Sequence, residues 1–146
     1  MQPKSPSAAQ VSEAQLRVRY AETDQMGVVY HSNYIIWFEV GRVEFFRQLG
    51  FTYLEMEKQD GIHLAVADVH CRFKVPAHYD DLLTIRTSLV KVRGSLVHFG
   101  YAIVRAADGC LLAEGESVHL VLNFEFKRTS LPQKYLAPLL KAAGKS

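Results

Sequence analysis

The segment from Asn33 to Gln48 limits what this chain can fold into more than any other. It reads as one helix, with Ser32 or Asn33 available to cap its start and Gly50 suited to its end. Tyr34, Ile35, Ile36, Trp37, Phe38, Val40, Val43, Phe45, Phe46 and Leu49 spread apolar surface over nearly every side. A helix apolar all round is expected inside a protein, not laid on its surface. Something must cover it, and the rest of the chain offers mostly strands. Among its polar residues, Glu39 with Arg42 and Glu44 with Arg47 stand at ion-pairing distance along a helix. Gly41 costs helix propensity and marks a point of close approach to a sheet.

Before this helix, Leu16, Val18 and Tyr20 alternate with Arg17 and Arg19, which predicts a short strand over Gln15–Tyr20. A turn-rich stretch, Ala21 to Ser32, joins the two. After it, Thr52 and Glu55 form a capping-box signal for a second, shorter helix ending near Gly61. Four strands follow: Ile62–Val75, Leu82–Arg93, Leu96–Ala107 and Cys110–Phe126. Pro76–Asp81 and Gly94 separate the earlier ones, and Asp108-Gly109 is the strongest hairpin signal in the chain. Leu131-Pro132 opens a last helix through Leu140. The expected class is α+β, an antiparallel meander wrapped around one long buried helix.

The length of 146 residues fits a single domain, placed at 15–146, behind a loose tail at 1–14 rich in Pro, Ser, Ala and Gln. The tail has no basic segment followed by an apolar one, so it is not read as a secretory signal. No window of about 18 apolar residues suggests a membrane span. A net charge of +2 gives no basic stripe for nucleic acid. Cys71 and Cys110 sit in apolar, strand-like runs and are expected to be buried free thiols in a reducing cytoplasm. The histidines His63, His70, His78, His98 and His119 follow no metal-ligand spacing, so no metal or organic cofactor is expected. There is no phosphate-binding glycine loop and no G-x-S-x-G serine-nucleophile motif.

The chemistry-bearing stretch is Arg19-Tyr-Ala-Glu-Thr-Asp-Gln-Met-Gly-Val-Val-Tyr-His-Ser-Asn-Tyr34, continuing into Trp37-Phe-Glu-Val-Gly-Arg42. Together with Arg72-Phe-Lys-Val-Pro-Ala-His-Tyr-Asp-Asp81, it resembles the hotdog-fold acyl-CoA thioesterases of the 4-hydroxybenzoyl-CoA thioesterase and YbgC-like family. The resemblance covers about Leu16 to Pro132. It implies hydrolysis of an acyl-CoA, with Asp24 as the catalytic carboxylate and Tyr20 and His31 near the reaction centre. It also implies a homodimer with two sheets joined edge to edge and the pocket between subunits, and commonly a homotetramer. Gln25-Met26 departs from relatives that carry small residues or Pro there, which leaves the acyl group open between aryl and medium-to-long fatty chains.

The residues suit that chemistry. A thioester has a good leaving group, so its hydrolysis chiefly needs a base or nucleophile and a site for the developing oxyanion. Asp24 supplies the carboxylate. The helix that starts soon after it supplies unpaired N–H groups and partial positive charge, with the His31 N–H as the expected donor. Gly27 lets the loop turn tightly. Tyr30, Asn33 and Tyr34 are expected to line the substrate, with Trp37 nearby. Lys74, Lys91, Arg93, Lys127 and Arg128 are candidates for the CoA phosphates, Arg93 and Arg128 foremost.

Taken singly, these residues have plainer readings. Asp24 is also a turn or cap residue, His31 a packing or capping residue, and Tyr20 a filler at a strand end. Glu22 reads as a solvated loop residue and Glu39 as the partner of Arg42. An enoyl-thioester hydratase using Asp24 with His31, or an acyl-CoA or acyl-carrier binding module without turnover, remain the rival functions.

Overall fold

The computed structural model describes residues 9–144. The strands are β1 (Val11–Arg17), β2 (His63–Phe73), β3 (Leu82–Arg93), β4 (Leu96–Arg105) and β5 (Leu111–Leu122). The helices are α1 (Ser32–Leu49), α2 (Tyr53–Asp60) and α3 (Gln133–Ala142), and a single 3-10 turn covers Tyr20–Glu22. The strands form one antiparallel sheet in the order β1-β3-β4-β5-β2.

Two expectations about the sheet need correction. The first strand begins at Val11, inside the stretch read as tail, and ends at Arg17, so that Tyr20 belongs to the 3-10 turn. Its inward positions are Ser12, Ala14 and Leu16, and the two small residues hide the alternation. The meander is also incomplete. β3, β4 and β5 are neighbours in sequence and space, but β2 pairs with β5 at the far edge. The eight residues from Lys74 to Asp81 are a crossover, longer than the usual hairpin loop. They pass the N-terminal end of α1, where the Val29 N–H donates to Ala77 O at 2.9 Å.

α1 packs chiefly on β1 and β3. Tyr34, Trp37, Phe38, Gly41, Arg42, Phe45 and Phe46 are buried on its sheet-facing side. A Cβ on Gly41 would overlap Thr87 Oγ1, so this glycine sets how closely helix and sheet approach. Burial is one-sided rather than complete. Ile36 and Val40 are 54% and 38% exposed, and with Val43 they line a groove of about 540 Å³ beside Glu13, Ala14 and Gln15 of β1. The helix ends as expected at Gly50, with φ 100°. In α2 the Thr52 hydroxyl accepts the Glu55 N–H at 3.1 Å, one half of the capping box.

Glu44 pairs with Arg47 at 3.0 Å. Arg42 does not pair with Glu39. Its Nε donates to Tyr53 Oη at 3.3 Å and its Nη1 to Tyr101 Oη at 3.1 Å. Tyr101 is bonded in turn to Ser117 Oγ at 2.6 Å, and Ser117 to His119 Nε2 at 2.7 Å. This chain, the Arg42 cation followed by neutral groups, ties α1 to α2, β4 and β5 through the core. Phe38 stacks on Tyr101, with ring centroids 4.2 Å apart.

Burial, reinforced by the Arg42 charge, pushes the His119 pKa down from 6.5 to about 3. The unfolded chain therefore binds a proton below pH 6.5 that the folded protein refuses until about pH 3. The resulting stability is complete above 6.5 and is lost as pH falls through that window, by up to about 1.4 kcal/mol per pH unit. Urea unfolding at neutral and mildly acidic pH should show this slope, and a steady stability across the window would contradict it. His119→Gln, whose amide does not titrate, should flatten it.

Candidate active site

The loop from Thr23 to Val29 is a small hairpin closed by a bridge between those two residues. Within it the Asp24 N–H donates to Val28 O at 2.8 Å, and the Gly27 N–H to Asp24 O at 3.0 Å. Gly27 takes φ 84°, a conformation that favours glycine. Asp24 is half-buried. Its Oδ1 accepts the Met26 N–H at 2.8 Å. Asp24 is thus a turn residue as well as a candidate base: one oxygen orients the carboxylate, and Oδ2 has no protein partner among the described residues. Gln25 and Met26, at the tip, are exposed.

The chain then enters α1. The Tyr30 N–H donates to Glu22 O, the Asn33 N–H to Tyr30 O and the Tyr34 N–H to His31 O. The N–H groups of His31 and Ser32 have no acceptor among the described residues. They are the free donors at the positive end of the helix. Neither Ser32 nor Asn33 caps α1; the N-cap position is His31, without a side-chain cap bond. The Asn33 side chain instead donates to Glu22 O at 2.9 Å.

The aromatic residues divide into lining and scaffold. His31 is exposed, with its ring 4.5 Å from that of Tyr30 and 6.3 Å from that of Phe73. Its side chain is not bonded to Asp24, whose one side-chain hydrogen bond among the described residues is from the Met26 N–H. Tyr30 is exposed, whereas Tyr34 and Trp37 are buried. The Tyr34 hydroxyl accepts the Ala77 N–H at 3.1 Å and so pins the β2–β3 crossover to α1. Burial raises the Tyr34 pKa above its usual value, keeping the phenol neutral. Val29, His31, Tyr34, Phe73, Lys74, Val75 and Pro76 enclose a cleft of about 260 Å³. Tyr20 does not fill core space: it is 77% exposed, edge-to-face with Tyr79 at 5.6 Å.

Arg93 and Arg128 are not brought to this end of the molecule. β3 starts beside the loop, where the Val18 N–H donates to Asp81 O. Arg93 closes the same strand at the opposite end, about 35 Å away along a 12-residue strand. Arg128 lies there too, bridged to Leu122 and bonded through Nε to Ser95 Oγ at 3.2 Å. The β2–β3 segment is closer: Asp81 Oδ2 accepts the His78 N–H at 2.9 Å, and Lys74 borders the cleft.

Two features escaped the sequence reading. The wall formed by Phe73 to Pro76 depends on the crossover path, which carries no local signal. Glu22 is only 8% exposed rather than solvated, and its Oε2 accepts the Trp37 Nε1–H at 3.2 Å. A buried tryptophan needs an acceptor, and that need was the available clue. Cys71 and Cys110 are free thiols, each half-buried rather than fully enclosed.

A five-stranded antiparallel sheet curled on one long helix, with a carboxylate loop at that helix's N-terminus, is the hotdog architecture. The thioesterase-like superfamily model matches residues 18–139. The chain is 41% identical over 115 residues to the putative acyl-CoA thioesterase YneP of Bacillus subtilis, covering 79% of this chain and 82% of that protein. It is 31% identical to the acyl-CoA thioester hydrolase YbgC of Escherichia coli O157:H7, covering 84% and 90%. The solved DHNA-CoA thioesterase of Staphylococcus aureus superposes with a TM-score of 0.82 at 34% identity, covering 90% and 87%. The chain belongs to the thioesterase-like superfamily.

The Tyr34–Ala77 bond carries a prediction. Tyr34→Phe leaves the Ala77 N–H buried without an acceptor, which should cost about 1–3 kcal/mol in urea unfolding. An unchanged midpoint would show that the crossover is held by packing alone.

Proposed function

We propose that this thioesterase hydrolyses an acyl-CoA to the free acid and CoA, with Asp24 as general base or nucleophile. The supporting observation is one loop–helix junction that offers both reacting elements: an unpartnered Asp24 oxygen and the free His31 and Ser32 N–H groups. As a base, Asp24 takes a proton from water as the water oxygen bonds to the carbonyl carbon. The C–S bond then breaks, and the thiolate takes up a proton. As a nucleophile, an Asp24 oxygen bonds to the carbonyl carbon, the C–S bond breaks and the thiolate leaves to take up a proton, and water then cleaves the mixed anhydride to the free acid and the Asp24 carboxylate. In either course the helix N–H groups receive the oxyanion, and each such donor is worth about 3 kcal/mol in enzymes where one has been removed. These protein groups carry the proposed reaction without a metal or organic cofactor. The proposed setting is the cytoplasm; among the described residues no helix is long and apolar enough to cross a membrane.

The same reading calls for a second copy. The cleft of about 260 Å³ lies below the usual range for a ligand pocket, about 300–1,000 Å³. β2 is an eleven-residue edge strand with Val66, Val69 and Phe73 exposed, the kind of edge that pairs with another chain. Antiparallel pairing of β2 with itself would join two sheets edge to edge. It would also carry the far end of the partner, with Arg128, toward the Asp24 end of the first copy. A tetramer of such dimers completes the proposed assembly. Phe73 and the Tyr34 ring at the cleft suit an aryl or fatty acyl group alike.

The decisive assay is thiol release from a panel of aryl and fatty acyl-CoAs. Asp24→Asn should lose at least about 100-fold in kcat; undiminished activity would remove Asp24 from the mechanism. Enoyl-CoA hydration without thiol release would favour the hydratase, and binding without turnover the non-catalytic module. Arg128→Glu should raise KM for CoA esters about fivefold, the worth of one exposed charge contact near 1 kcal/mol, with kcat nearly unchanged. An unchanged KM would count against that contact.

A further inference from the structure

We infer that Glu22 is a positioning residue that fixes the Asp24 loop against the N-terminus of α1, and that it does so through Trp37. The inference rests on the reading of Asp24 and the helix N–H groups as the reacting elements. Glu22 lies two positions before Asp24, and both its carboxylate oxygens are committed inward. Oε1 accepts the Arg19 N–H at 2.7 Å. Oε2 accepts Arg19 Nη2–H at 3.3 Å and Trp37 Nε1–H at 3.2 Å. Its backbone carbonyl accepts the Tyr30 N–H and Asn33 Nδ2–H, each at 2.9 Å.

These bonds join three pieces of chain: the approach to the loop at Arg19, the return limb at Tyr30, and α1 at Asn33 and Trp37. A buried carboxylate is costly unless its oxygens are satisfied. Here the satisfaction comes wholly from groups that must stay in register for the loop to face the helix. The bridge between Thr23 and Val29 closes the hairpin on itself, and the Val29 N–H to Ala77 O bond ties it to the crossover. The first does not reach α1, and the second reaches it only by way of the crossover, where the Ala77 N–H donates to Tyr34 Oη. Glu22 is the residue that binds the Asp24 loop to α1 directly, and so sets Asp24 Oδ2 relative to the His31 and Ser32 N–H groups. Small errors in such a placement are expensive in rate, because reaction requires aligned groups at near-contact distance.

Trp37 gives an independent handle. Its ring is 2% exposed and packs edge-to-face on Tyr34 at 5.2 Å, so Trp37→Phe keeps an aromatic ring in the core while deleting the N–H. Glu22→Gln keeps the shape but leaves a single acceptor oxygen, too few for Arg19 and Trp37 together. The test measures kcat and KM by thiol release for Glu22→Gln, Trp37→Phe and the double variant, with thermal unfolding of each. We expect kcat to fall about tenfold or more in both single variants, with KM within about twofold. The double variant should be no worse than the weaker single, since both cut one link. Full kcat in a folded Glu22→Gln and in Trp37→Phe, or losses that simply multiply in the double variant, would overturn the inference. If Glu22→Gln fails to fold, Trp37→Phe decides: full kcat in it overturns the inference, and reduced kcat at unchanged KM upholds it. Asp24→Asn separates the two levels. Its full activity would reject the underlying site, whereas its inactivity beside active Glu22→Gln and Trp37→Phe would reject only the role of Glu22.

Discussion

The contact between α1 and the sheet at Gly41 is the constraint on which the rest of this structure depends. The missing Cβ lets the helix backbone approach Thr87 and Ile85 closely. That approach lets Phe38, Phe45 and Phe46 reach full burial on the sheet side. The tightly packed helix cannot slide without opening voids among these rings, so its N-terminus has a fixed place and direction. The loop carrying Asp24 and the crossover carrying Lys74 to Ala77 both attach to that end. A hydrophobic packing constraint is in this way translated into the position of two free N–H groups and a carboxylate.

The polar groups in the core follow from the same arrangement. Arg42 follows Gly41 directly and is buried with it. Among the described residues its charge meets no carboxylate but a run of neutral groups, from Tyr53 and Tyr101 on to Ser117 and His119. Such a chain is strongly directional: it holds only if the helix, β4 and β5 keep their register. Glu22 does the corresponding work at the loop. One buried cation in the middle of α1 and one buried anion in the loop before it, each met by specific partners, thus add directional bonds to the apolar packing.

Much of this was written locally. The stop of α1 and both ends of α2, marked by Gly50, Thr52 and Gly61, follow from helix chemistry within a few residues. The Asp108-Gly109 turn joins β4 to β5 as its dipeptide suggests, with Gly109 at φ 70°. The motif around Asp24 and its resemblance to thioesterases pointed to the right family. Misreadings arose where the deciding partner is distant in sequence. Glu22 looks solvated until Trp37 is seen above it. Arg42 looks paired with Glu39 until Tyr101, 59 residues away, takes its Nη1–H. The edge position of β2 is set by its pairing with β5, not by any turn between β2 and β3.

The apolar girth of the Tyr34–Leu49 stretch, by itself, determined that a helix would be wrapped by strands, and the Asp24 motif determined the chemistry to expect at its head. The tertiary structure alone decided which side of that helix is covered, leaving Ile36 and Val40 open. It alone decided that Arg93 and Arg128 lie a strand's length from Asp24, and that one wall of the cleft comes from the end of β2 and the crossover that follows it. The physical reason is the range of the forces involved. Backbone propensity, capping and turn geometry act within a few residues and are legible in order along the chain. Strand partnership, burial of a charge and the meeting of a carboxylate with an indole N–H depend on which distant segments are brought together.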